Sequence, residues 1–256
     1  MSGAEPLPKE TPKAKVVIVM PAYNAARTLE DTFRRIPEGY YDEIVVVDDH
    51  SRDDTTDLAK RLNLKAIRHP HNVGYGGNQK TCYMEALRDG AEIVVMLHPD
   101  GQYDPSIIPE MIRPIEEGRA DLVLGSRMMT PGGAAKGGMP LWKQASNRFL
   151  TRLENLSMGT SFSECHTGYR AYSRRFLETV PFLRNSNNFV FDTEVIFQAV
   201  QFSLRVVEVP ISTRYFADAS SVGFRVGVVY GLSTLWTAVR FLLHRAHLVE
   251  SSKFRR

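Results

Sequence analysis

Cysteine is scarce in this sequence, which contains only Cys82 and Cys165. Neither residue belongs to a Cys-x-x-Cys pair, so the sequence predicts no disulfide framework and no zinc site. The N-terminal residues lack the apolar core of a secretory signal and are rich in Pro, Lys and Glu. We therefore predict a disordered lead-in over residues 1–14 and a reducing, cytoplasmic setting.

A large excess of either charge is also missing. The 32 basic and 29 acidic residues leave a formal net charge of +3, which is too small to predict a nucleic-acid partner. Basic residues do gather near the C-terminus, where they suit an anionic membrane surface or a solvated tail. These residues are Arg240, His244, Arg245, His247, Lys253, Arg255 and Arg256.

The sequence has no uninterrupted apolar run of the about 20 residues that a single membrane span needs. Its most apolar segment lies within residues 222–247, where the stretch between Arg225 and Arg240 is uncharged. We predict a helix there that lies in a membrane interface, or that packs in the core or against another subunit. The aromatic residues suited to an interface are Phe224, Tyr230, Trp236 and Phe241.

Strands alternate with helices along most of the chain. Short runs typical of buried strands occupy residues 16–19, 43–47, 92–97 and 121–124, with weaker runs at 65–68 and 205–210. Helical patterns occupy residues 25–36, 53–62, 77–89, 106–117, 141–158 and 189–202, and residues 130–138 form a loop long enough to act as a lid. This alternation predicts an α/β fold with a parallel sheet that helices cover on both faces.

Each strong strand is followed by polar residues of a different chemical type. The four clusters are Pro21-Ala22-Tyr23-Asn24, Asp48-Asp49-His50-Ser51, His98-Pro99-Asp100-Gly101-Gln102 and Gly125-Ser126-Arg127. Ligands of open parallel sheets bind beyond the carboxyl ends of the strands, so we predict one binding site at this edge. Turns are also polar, but turn formation alone does not explain four clusters of distinct chemistry.

The first two clusters suit a nucleoside. Tyr23 can stack on a base, and Asp48 or Asp49 can accept hydrogen bonds from a base or a ribose hydroxyl. Alternatively, Asp48, Asp49 and Ser51 cap the helix that follows them. A nicotinamide dehydrogenase or a nucleotidyltransferase would need a Gly-rich turn after the first strand, and the Pro-Ala-Tyr-Asn sequence found there excludes both.

The third cluster suits a divalent cation. Asp100 and Gln102 offer the oxygen ligands that Mg²⁺ and Mn²⁺ prefer, and His98 shifts the preference toward Mn²⁺. Such an ion stabilises a diphosphate as a leaving group. The alternative is that Pro99-Asp100-Gly101 forms a turn without a metal.

In order and spacing, these clusters resemble glycosyltransferase family 2 enzymes of the GT-A fold. Two further motifs contribute, Asn72-Val73-Gly74-Tyr75-Gly76-Gly77 and His166-Thr167-Gly168-Tyr169-Arg170. Within that family the sequence is most similar to polyprenyl-phosphate (dolichyl-phosphate) sugar transferases. The resemblance implies a Rossmann-like three-layer GT-A sandwich with a mostly parallel sheet over residues 15–220, followed by an amphipathic helix and a basic tail over residues 221–256.

The resemblance also implies the ligands of the site. A UDP- or GDP-linked sugar is expected to contact Pro21, Ala22, Tyr23, Asn24, Asp48, Asp49, Gly74 and Asp100. An aspartate-any-aspartate motif, followed two residues later by Gln, binds Mn²⁺ or Mg²⁺ in the family, and here its members are His98, Asp100 and Gln102. His98 stands in place of the first aspartate and brings no negative charge. A nucleotide-sugar-binding protein with little activity is therefore an alternative.

An inverting transfer to a hydroxyl needs a general base, whereas a phosphate acceptor is already anionic and needs positive charge. Glu164 stands where the resembling enzymes place a carboxylate near the acceptor, and Asp192 and Glu194 are the second candidates. The latter pair could instead complement a helix dipole. Arg127 and Arg170 either bind a phosphate or form surface salt bridges.

We therefore predict an inverting glycosyltransferase that acts in the cytoplasm or on the cytoplasmic face of a membrane, with a polyprenyl phosphate as its acceptor. The alternative acceptor is a saccharide hydroxyl in polysaccharide or glycolipid synthesis. Peripheral membrane contact and a homo-oligomer are two uses of the C-terminal helix. His166 is either an acid/base or a hydrogen-bonded loop residue, and the sequence favours the second.

Overall fold

The computed structural model describes residues 14–214 and 224–255. Its strands are β1 (Val16–Ala22), β2 (Glu43–Asp48), β3 (Lys65–Arg68), β4 (Ile93–Met96), β5 (Leu122–Ser126), β6 (Arg170–Ser173) and β7 (Val206–Pro210). Its helices are α1 (Leu29–Arg34), α2 (Thr55–Arg61), α3 (Tyr75–Arg88), α4 (Ile108–Glu116), α5 (Gly133–Lys136), α6 (Leu141–Met158), α7 (Arg174–Thr179), α8 (Phe191–Gln201) and α9 (Phe224–Arg245). The predicted lead-in, apart from Ala14, and the predicted boundary at residue 220 lie outside the described residues.

These strands form one sheet in the order β3-β2-β1-β4-β6-β5-β7. β1 pairs in parallel with β2 and β4, β2 with β3, and β5 with β7, whereas β6 is antiparallel to both of its neighbours, β4 and β5. The predicted α/β fold with a mostly parallel sheet is confirmed. The prediction omitted β6, because its sequence Arg-Ala-Tyr-Ser contains no β-branched run.

Helices cover both faces of the sheet, and β1 divides the core between them. Val17 and Val19 belong to the apolar cluster that α3, α8 and α9 complete, while Val16, Ile18 and Met20 belong to the cluster under α1, α2 and α4. Successive side chains of a strand point to opposite faces, so an entirely apolar strand needs cover on both. This arrangement is the three-layer sandwich that the sequence predicted.

α1 begins later than its predicted start at residue 25. The N–H groups of Ala25 and Ala26 donate instead to Thr55 Oγ1 (2.8 Å) and to the Asp53 carboxylate (3.0 Å), both at the start of α2. These tertiary hydrogen bonds hold the segment before Leu29 in turns. The predicted loop over residues 130–138 likewise contains a short helix, α5.

α9 is longer than the charge-free stretch on which the sequence prediction rested. Arg225–Arg245 is a 21-residue segment. Its most apolar 18-residue stretch has a mean hydropathy of 1.5, and 22% of that stretch is buried. By length and composition this helix is able to cross a membrane, although a core helix of a soluble protein passes the same test. In this fold it packs against α6 and α8.

The C-terminal residues fold back onto α8 instead of forming a solvated tail. Phe254 is buried against Phe241 of α9, and the Lys253 ammonium forms an ion pair with the Glu194 carboxylate of α8. Lys253 is therefore engaged within the protein, which corrects one part of the predicted basic membrane-binding tail. Arg256 lies outside the described residues.

Candidate active site

A cleft of about 1350 Å³ opens beyond the carboxyl ends of β1, β2 and β4. It exceeds the roughly 300–1,000 Å³ of an ordinary small-molecule site, so it has room for two substrates. Most of the predicted site residues line it, namely Pro21, Ala22, Tyr23, Asn24, Asp49, Gly74, His98, Asp100, Gln102, Arg127 and Asp192. The predicted residues that do not line the cleft are Asp48, Glu164 and Arg170.

Asp48 and Asp49, at the end of β2, hold loops in place. Asp48 is buried and accepts hydrogen bonds from the Ser51 N–H (2.9 Å) and from the hydroxyls of Ser51 and Thr56. Asp49 accepts from the N–H groups of Val73 (2.8 Å) and Gly74 (3.0 Å), just before α3. Asp48 therefore holds the turn before α2 and contacts the Thr56 side chain, but the N-cap residue of α2 makes no capping hydrogen bond with its side chain, so the capping alternative is not what the structure shows. Asp49 forms part of the cleft wall.

The glycines around the start of α3 permit a close backbone approach. A Cβ on Gly76 would lie 2.4 Å from the carbonyl oxygen of Ser186, and one on Gly74 would lie 2.7 Å from that of Asn187. Gly74 also has a φ of 88°, which side-chain-bearing residues rarely adopt. The glycines therefore allow the segment before α8 to pack directly against the start of α3.

His98 is enclosed by neighbouring groups. Its ring stacks on Tyr75 with 5.5 Å between centroids, and its Nε2 lies 3.2 Å from the Tyr75 hydroxyl. Gly168 packs so closely that a Cβ there would lie 2.6 Å from the same nitrogen. Burial lowers the pKa of His98 despite the opposing charge of Asp100, so its imidazole is neutral at pH 7. Its Nε2 thus faces the protein.

Asp100 is the group in this cluster best suited to a cation. Gly101 has a φ of 71°, so the predicted turn is present, and the Gln102 N–H donates to Asp100 at 3.0 Å. Burial raises the pKa of Asp100, and within residues 14–214 and 224–255 no Lys or Arg pairs with it. A divalent ion would supply the missing positive charge, so Asp100 and Gln102 fit a metal.

The protein alone offers few ligands for that ion. Among the described residues there is no group of three or more His, Cys, Asp or Glu side chains that could hold a metal. Mg²⁺ and Mn²⁺ sites in nucleotide enzymes commonly combine one or two carboxylates with substrate phosphates and water. The Asp100 cluster by itself therefore offers too few ligands, and a bound diphosphate and water would have to supply the rest.

Arg127 and Glu164 form a buried ion pair that holds the end of β5 against the loop before β6. Glu164 accepts hydrogen bonds from Arg127 N–H (2.7 Å), Arg127 Nε (2.9 Å) and Asn147 Nδ2 of α6 (2.7 Å). Burial alone would raise the pKa of Glu164, but the Arg127 guanidinium and these hydrogen bonds hold it below its ordinary value. This geometry favours a role for Glu164 in orienting Arg127 over the predicted role of a base.

Asp192, at the start of α8, is the second predicted base and faces the cleft. The Tyr75 hydroxyl donates to one of its oxygens at 2.7 Å, and Gln79 donates to the other at 3.2 Å. Arg170 is fully buried behind it and donates to the Asp192 carbonyl at 2.9 Å. Burial, the largest single effect, would lower the pKa of Arg170, but the Asp192 carboxylate together with the neighbouring tyrosines raises that pKa overall. Arg170 thus supports Asp192 and lies away from the cleft, and Glu194 is turned toward the C-terminal tail.

A second wall of the cleft comes from α6 and α9, and no sequence motif pointed to it. Its members include Trp142, Lys143, Phe149, Leu150, Tyr230, Leu232 and Leu235. The Lys143 ammonium lies 5.5 Å from the centre of the Trp142 ring and has no carboxylate partner in the part of the chain that the structure describes. The amphipathic patterns of the two helices were visible in the sequence, but such patterns do not reveal what a helix faces.

Known proteins resemble this chain in sequence and in fold. The family model described as glycosyl transferase family 2 matches residues 17–180. The chain is 29% identical over 228 residues to the UDP-N-acetylglucosamine–dolichyl-phosphate N-acetylglucosaminyltransferase of Methanococcus voltae, covering 82% of this chain and 90% of the relative. It is 25% identical over 241 residues to the undecaprenyl-phosphate mannosyltransferase of Micrococcus luteus, covering 88% of this chain and 98% of the relative.

Among solved structures, the fold is similar to that of glucosyl-3-phosphoglycerate synthase from Mycobacterium tuberculosis in complex with Mn²⁺, uridine diphosphate and phosphoglyceric acid. The TM-score is 0.70 at 18% sequence identity, over 93% of this chain and 81% of that one. At this identity the likeness speaks for the fold alone, and it confirms the predicted GT-A architecture with its mostly parallel sheet.

Proposed function

This chain belongs to glycosyltransferase family 2, and on that premise we propose that it is an inverting enzyme that transfers a sugar from a UDP- or GDP-sugar to a polyprenyl phosphate. The observation that carries the proposal is the continuity of the cleft from the strand ends to α6 and α9. One end offers carboxylates and an aromatic ring, and the other offers a cation among apolar side chains. A nucleotide sugar and an amphiphilic phosphate need these two environments side by side.

The donor end is assigned to the strand ends and the loop before α3. Tyr23 is 52% exposed at the rim of the cleft, where its ring is available to stack on a base. Asp49 is occupied with the N–H groups of Val73 and Gly74. Tyr23 and Asn24 are therefore the side chains most open to a nucleoside, and Asp49 shapes the pocket around it.

Asp100 and Gln102 are assigned to Mn²⁺ or Mg²⁺. An ion held there would neutralise charge on the diphosphate as it leaves, which is the chemistry that the transfer requires. The half-buried carboxylate of Asp100, which has no Lys or Arg partner in the described chain, supports this assignment. His98 is assigned a packing role, because its Nε2 contacts Tyr75 and Gly168.

The acceptor end is assigned to the wall formed by α6 and α9. Lys143 and Arg127 line the cleft there and would attract a phosphate monoester. Trp142, Phe149 and Leu235 line the same end and suit the first isoprene units. A phosphate needs no strong base to attack, which agrees with a Glu164 carboxylate that is already paired with Arg127.

The outer faces of α6 and α9 support placement at the cytoplasmic surface of a membrane. Exposed apolar side chains outside the cleft recur along both helices, namely Leu141 and Leu156 on α6 and Val229, Trp236 and Val239 on α9. Every charged side chain on these helices that is not buried is basic: Lys143, Arg148, Arg152, Arg225, Arg240 and Arg245. A second copy would bring like charges together, so an anionic bilayer is the better partner.

A transfer assay tests the proposal. The purified chain is incubated with Mn²⁺, a panel of UDP- and GDP-sugars, and either undecaprenyl phosphate in vesicles, farnesyl phosphate or octyl glucoside. We expect a lipid-linked sugar phosphate by mass spectrometry, with the anomeric configuration opposite to that of the donor by NMR. Transfer to octyl glucoside alone would refute the phosphate acceptor, and a retained configuration would refute inversion.

Membrane placement has its own measurement, vesicle co-sedimentation. The double variant Val229→Ser/Trp236→Ser should lose binding to vesicles that contain anionic lipid, because both side chains lie outside the cleft and are more than half exposed on α9. Leu183→Ser is the matched control, since Leu183 is equally exposed but lies outside α6 and α9. Equal sedimentation of both variants would contradict the assignment of this face.

One observation favours a second candidate, transfer to a saccharide hydroxyl. Asp192 faces the cleft, and Tyr75 and Gln79 hold its carboxylate in one orientation, as a general base requires. If octyl glucoside is the better acceptor, Asp192→Asn should abolish that transfer. If farnesyl phosphate is the better acceptor, the same variant should retain most of its rate.

A further inference from the structure

A chain of three polar side chains joins α6, the loop before β6 and α9. His166 Nε2 lies 3.0 Å from the Glu154 carboxylate of α6, and His166 Nδ1 lies 2.6 Å from the Tyr230 hydroxyl of α9. His166 and Tyr230 line the cleft, and Glu154 lies behind them with 1% of its side chain exposed. We refer to these residues as the Glu154–His166–Tyr230 chain.

The buried Glu154 carboxylate depends on His166 as its main polar partner. The 3.0 Å contact departs from ideal hydrogen-bond angles, and among the other described residues the Glu154 carboxylate has only the weakly donating Cys165 thiol as a donor. A carboxylate can only accept, so its attraction to the imidazole requires a proton on Nε2. Burying a carboxylate without a partner is costly, so Glu154 fixes the position and orientation of the His166 ring.

The loop that carries His166 touches both predicted functional clusters. The Arg127 guanidinium donates to the His166 carbonyl at 2.6 Å, and the neighbouring Glu164 pairs with the same guanidinium. Two residues after His166, Gly168 packs against His98. A displacement of His166 would therefore shift Arg127 at the acceptor end of the cleft.

Tyr230 links α9 to the same network. Its hydroxyl contacts His166 and also lies 3.2 Å from Thr193 Oγ1, next to Asp192 at the start of α8. Burial raises the pKa of Tyr230, so the phenol stays protonated and acts as a hydrogen-bonding group. One side chain of α9 thereby contacts the elements that present Arg127 and Asp192.

We propose that His166 and Tyr230 are positioning residues for the acceptor, which act by holding the loop that orients Arg127. Glu154 secures His166 from α6, and Tyr230 secures it from α9. Assigning the acceptor to this end rests on the proposed function. The positioning role itself applies to whichever acceptor the enzyme uses, because Arg127 lines that end of the cleft.

A double-mutant cycle tests the proposal. Steady-state kinetics are measured for Tyr230→Phe, His166→Asn and the double variant, with farnesyl phosphate as the probe, or octyl glucoside if the transfer assay selects a hydroxyl. We expect each single variant to raise the acceptor KM about 10-fold with an unchanged donor KM, and the double variant to resemble the singles. Effects that multiply to about 100-fold, or an equal rise in donor KM, would overturn it.

Two further variants keep the test decisive. Tyr40→Phe removes the hydroxyl of an exposed tyrosine outside the cleft and should retain both wild-type KM values. If His166→Asn does not fold, Glu154→Gln replaces it and should show the same rise in acceptor KM alone. The wild-type choice of acceptor tests the proposed function, and the coupling within the cycle tests this inference, so the two can fail separately.

Discussion

The two ends of the cleft are built in different ways. At the strand ends, contacts to backbone atoms hold the short loops in place. The Asp49 carboxylate accepts hydrogen bonds from the N–H groups of Val73 and Gly74, and Gly76 packs closely against the Ser186 carbonyl. At the other end, α6 and α9 present side chains such as Lys143 that come together only through packing. The first end tolerates little change in backbone shape, whereas the second depends on the character of single side chains.

The two ends also differ in charge. Asp100 at the strand ends is a half-buried carboxylate with no Lys or Arg partner in the described part of the chain, whereas Lys143 on α6 is a cation with no carboxylate partner there. Between them, Arg127 forms an ion pair with Glu164. This separation suits a metal-bound diphosphate at one end and an anionic acceptor at the other, and each of the following changes tests one side of it.

The largest effect is expected at the junction, from Glu164→Gln. Removing the carboxylate charge takes the Glu164 countercharge away from the buried Arg127 guanidinium, so the free energy of unfolding should fall by roughly 3–5 kcal/mol. Urea denaturation measures the difference. Asp100→Asn is the matched control, because in the described residues that carboxylate forms no ion pair with a Lys or Arg. The stability of this variant should stay close to that of the wild type.

The pH dependence of the same variant gives an independent check. The folded pKa of Glu164 lies below its ordinary value of 4.5, so its contribution to stability is complete above that pH and is lost as the pH falls through the folded value. Glu164→Gln should therefore lose less stability than the wild type on acidification. Parallel stability curves for the two proteins would contradict the assigned ion pair.

Asp100→Asn should have the next largest effect, on catalysis at the donor end. We expect sugar transfer to slow by about 100-fold, equivalent to about 2.7 kcal/mol, because the neutral amide cannot balance a divalent ion. Initial rates over a range of Mn²⁺ concentrations measure it. Asp104→Asn, four residues further on and outside the cleft lining, is the control. A wild-type rate for Asp100→Asn would remove the metal assignment.

Gly76→Ala tests the tight backbone of the donor end. The added methyl group would lie 2.4 Å from the Ser186 carbonyl oxygen and 2.7 Å from Phe191 Cβ, so the segment before α8 must move. We expect a loss of roughly 1–3 kcal/mol in the free energy of unfolding. In α9, Gly227→Ala meets no atom within 4 Å and should be neutral or slightly stabilising. Equal melting temperatures for both variants would mean that the donor end is more adaptable than its geometry implies.

Lys143→Gln should have the smallest effect, confined to the acceptor end. We expect the KM for farnesyl phosphate to rise about 10-fold with the donor KM unchanged, because one charge-assisted contact to the phosphate is lost. Arg152→Gln, on the same helix but outside the cleft lining, controls for the general charge of α6. A change in donor KM in place of acceptor KM would show that the two ends are wrongly assigned.

Residues at the strand ends and residues elsewhere in the motifs also differ in how far the sequence predicts their positions. Residues at strand ends, such as Tyr23 and Asp100, line the cleft as predicted, because the carboxyl ends of parallel strands must meet at one edge. Glu164 and Arg170 come from the predicted motifs but lie behind the cleft wall. By residue type, Glu164 and Arg170 suit catalysis as well as the residues that line the cleft do. Only the contacts in the folded structure show that they lie behind the cleft wall.

The sequence by itself determined the α/β alternation, the entirely apolar strands that require cover on both faces, and the family motifs at the strand ends. These features depend on local periodicity and on residues close together in the chain. Tertiary structure alone decided that β6 runs antiparallel, that Lys253 binds Glu194, and that α6 and α9 form the second wall of the cleft. Those outcomes depend on contacts between residues far apart in the chain. An amphipathic helix or a single charged residue indicates that a partner is needed, but the local sequence does not identify that partner.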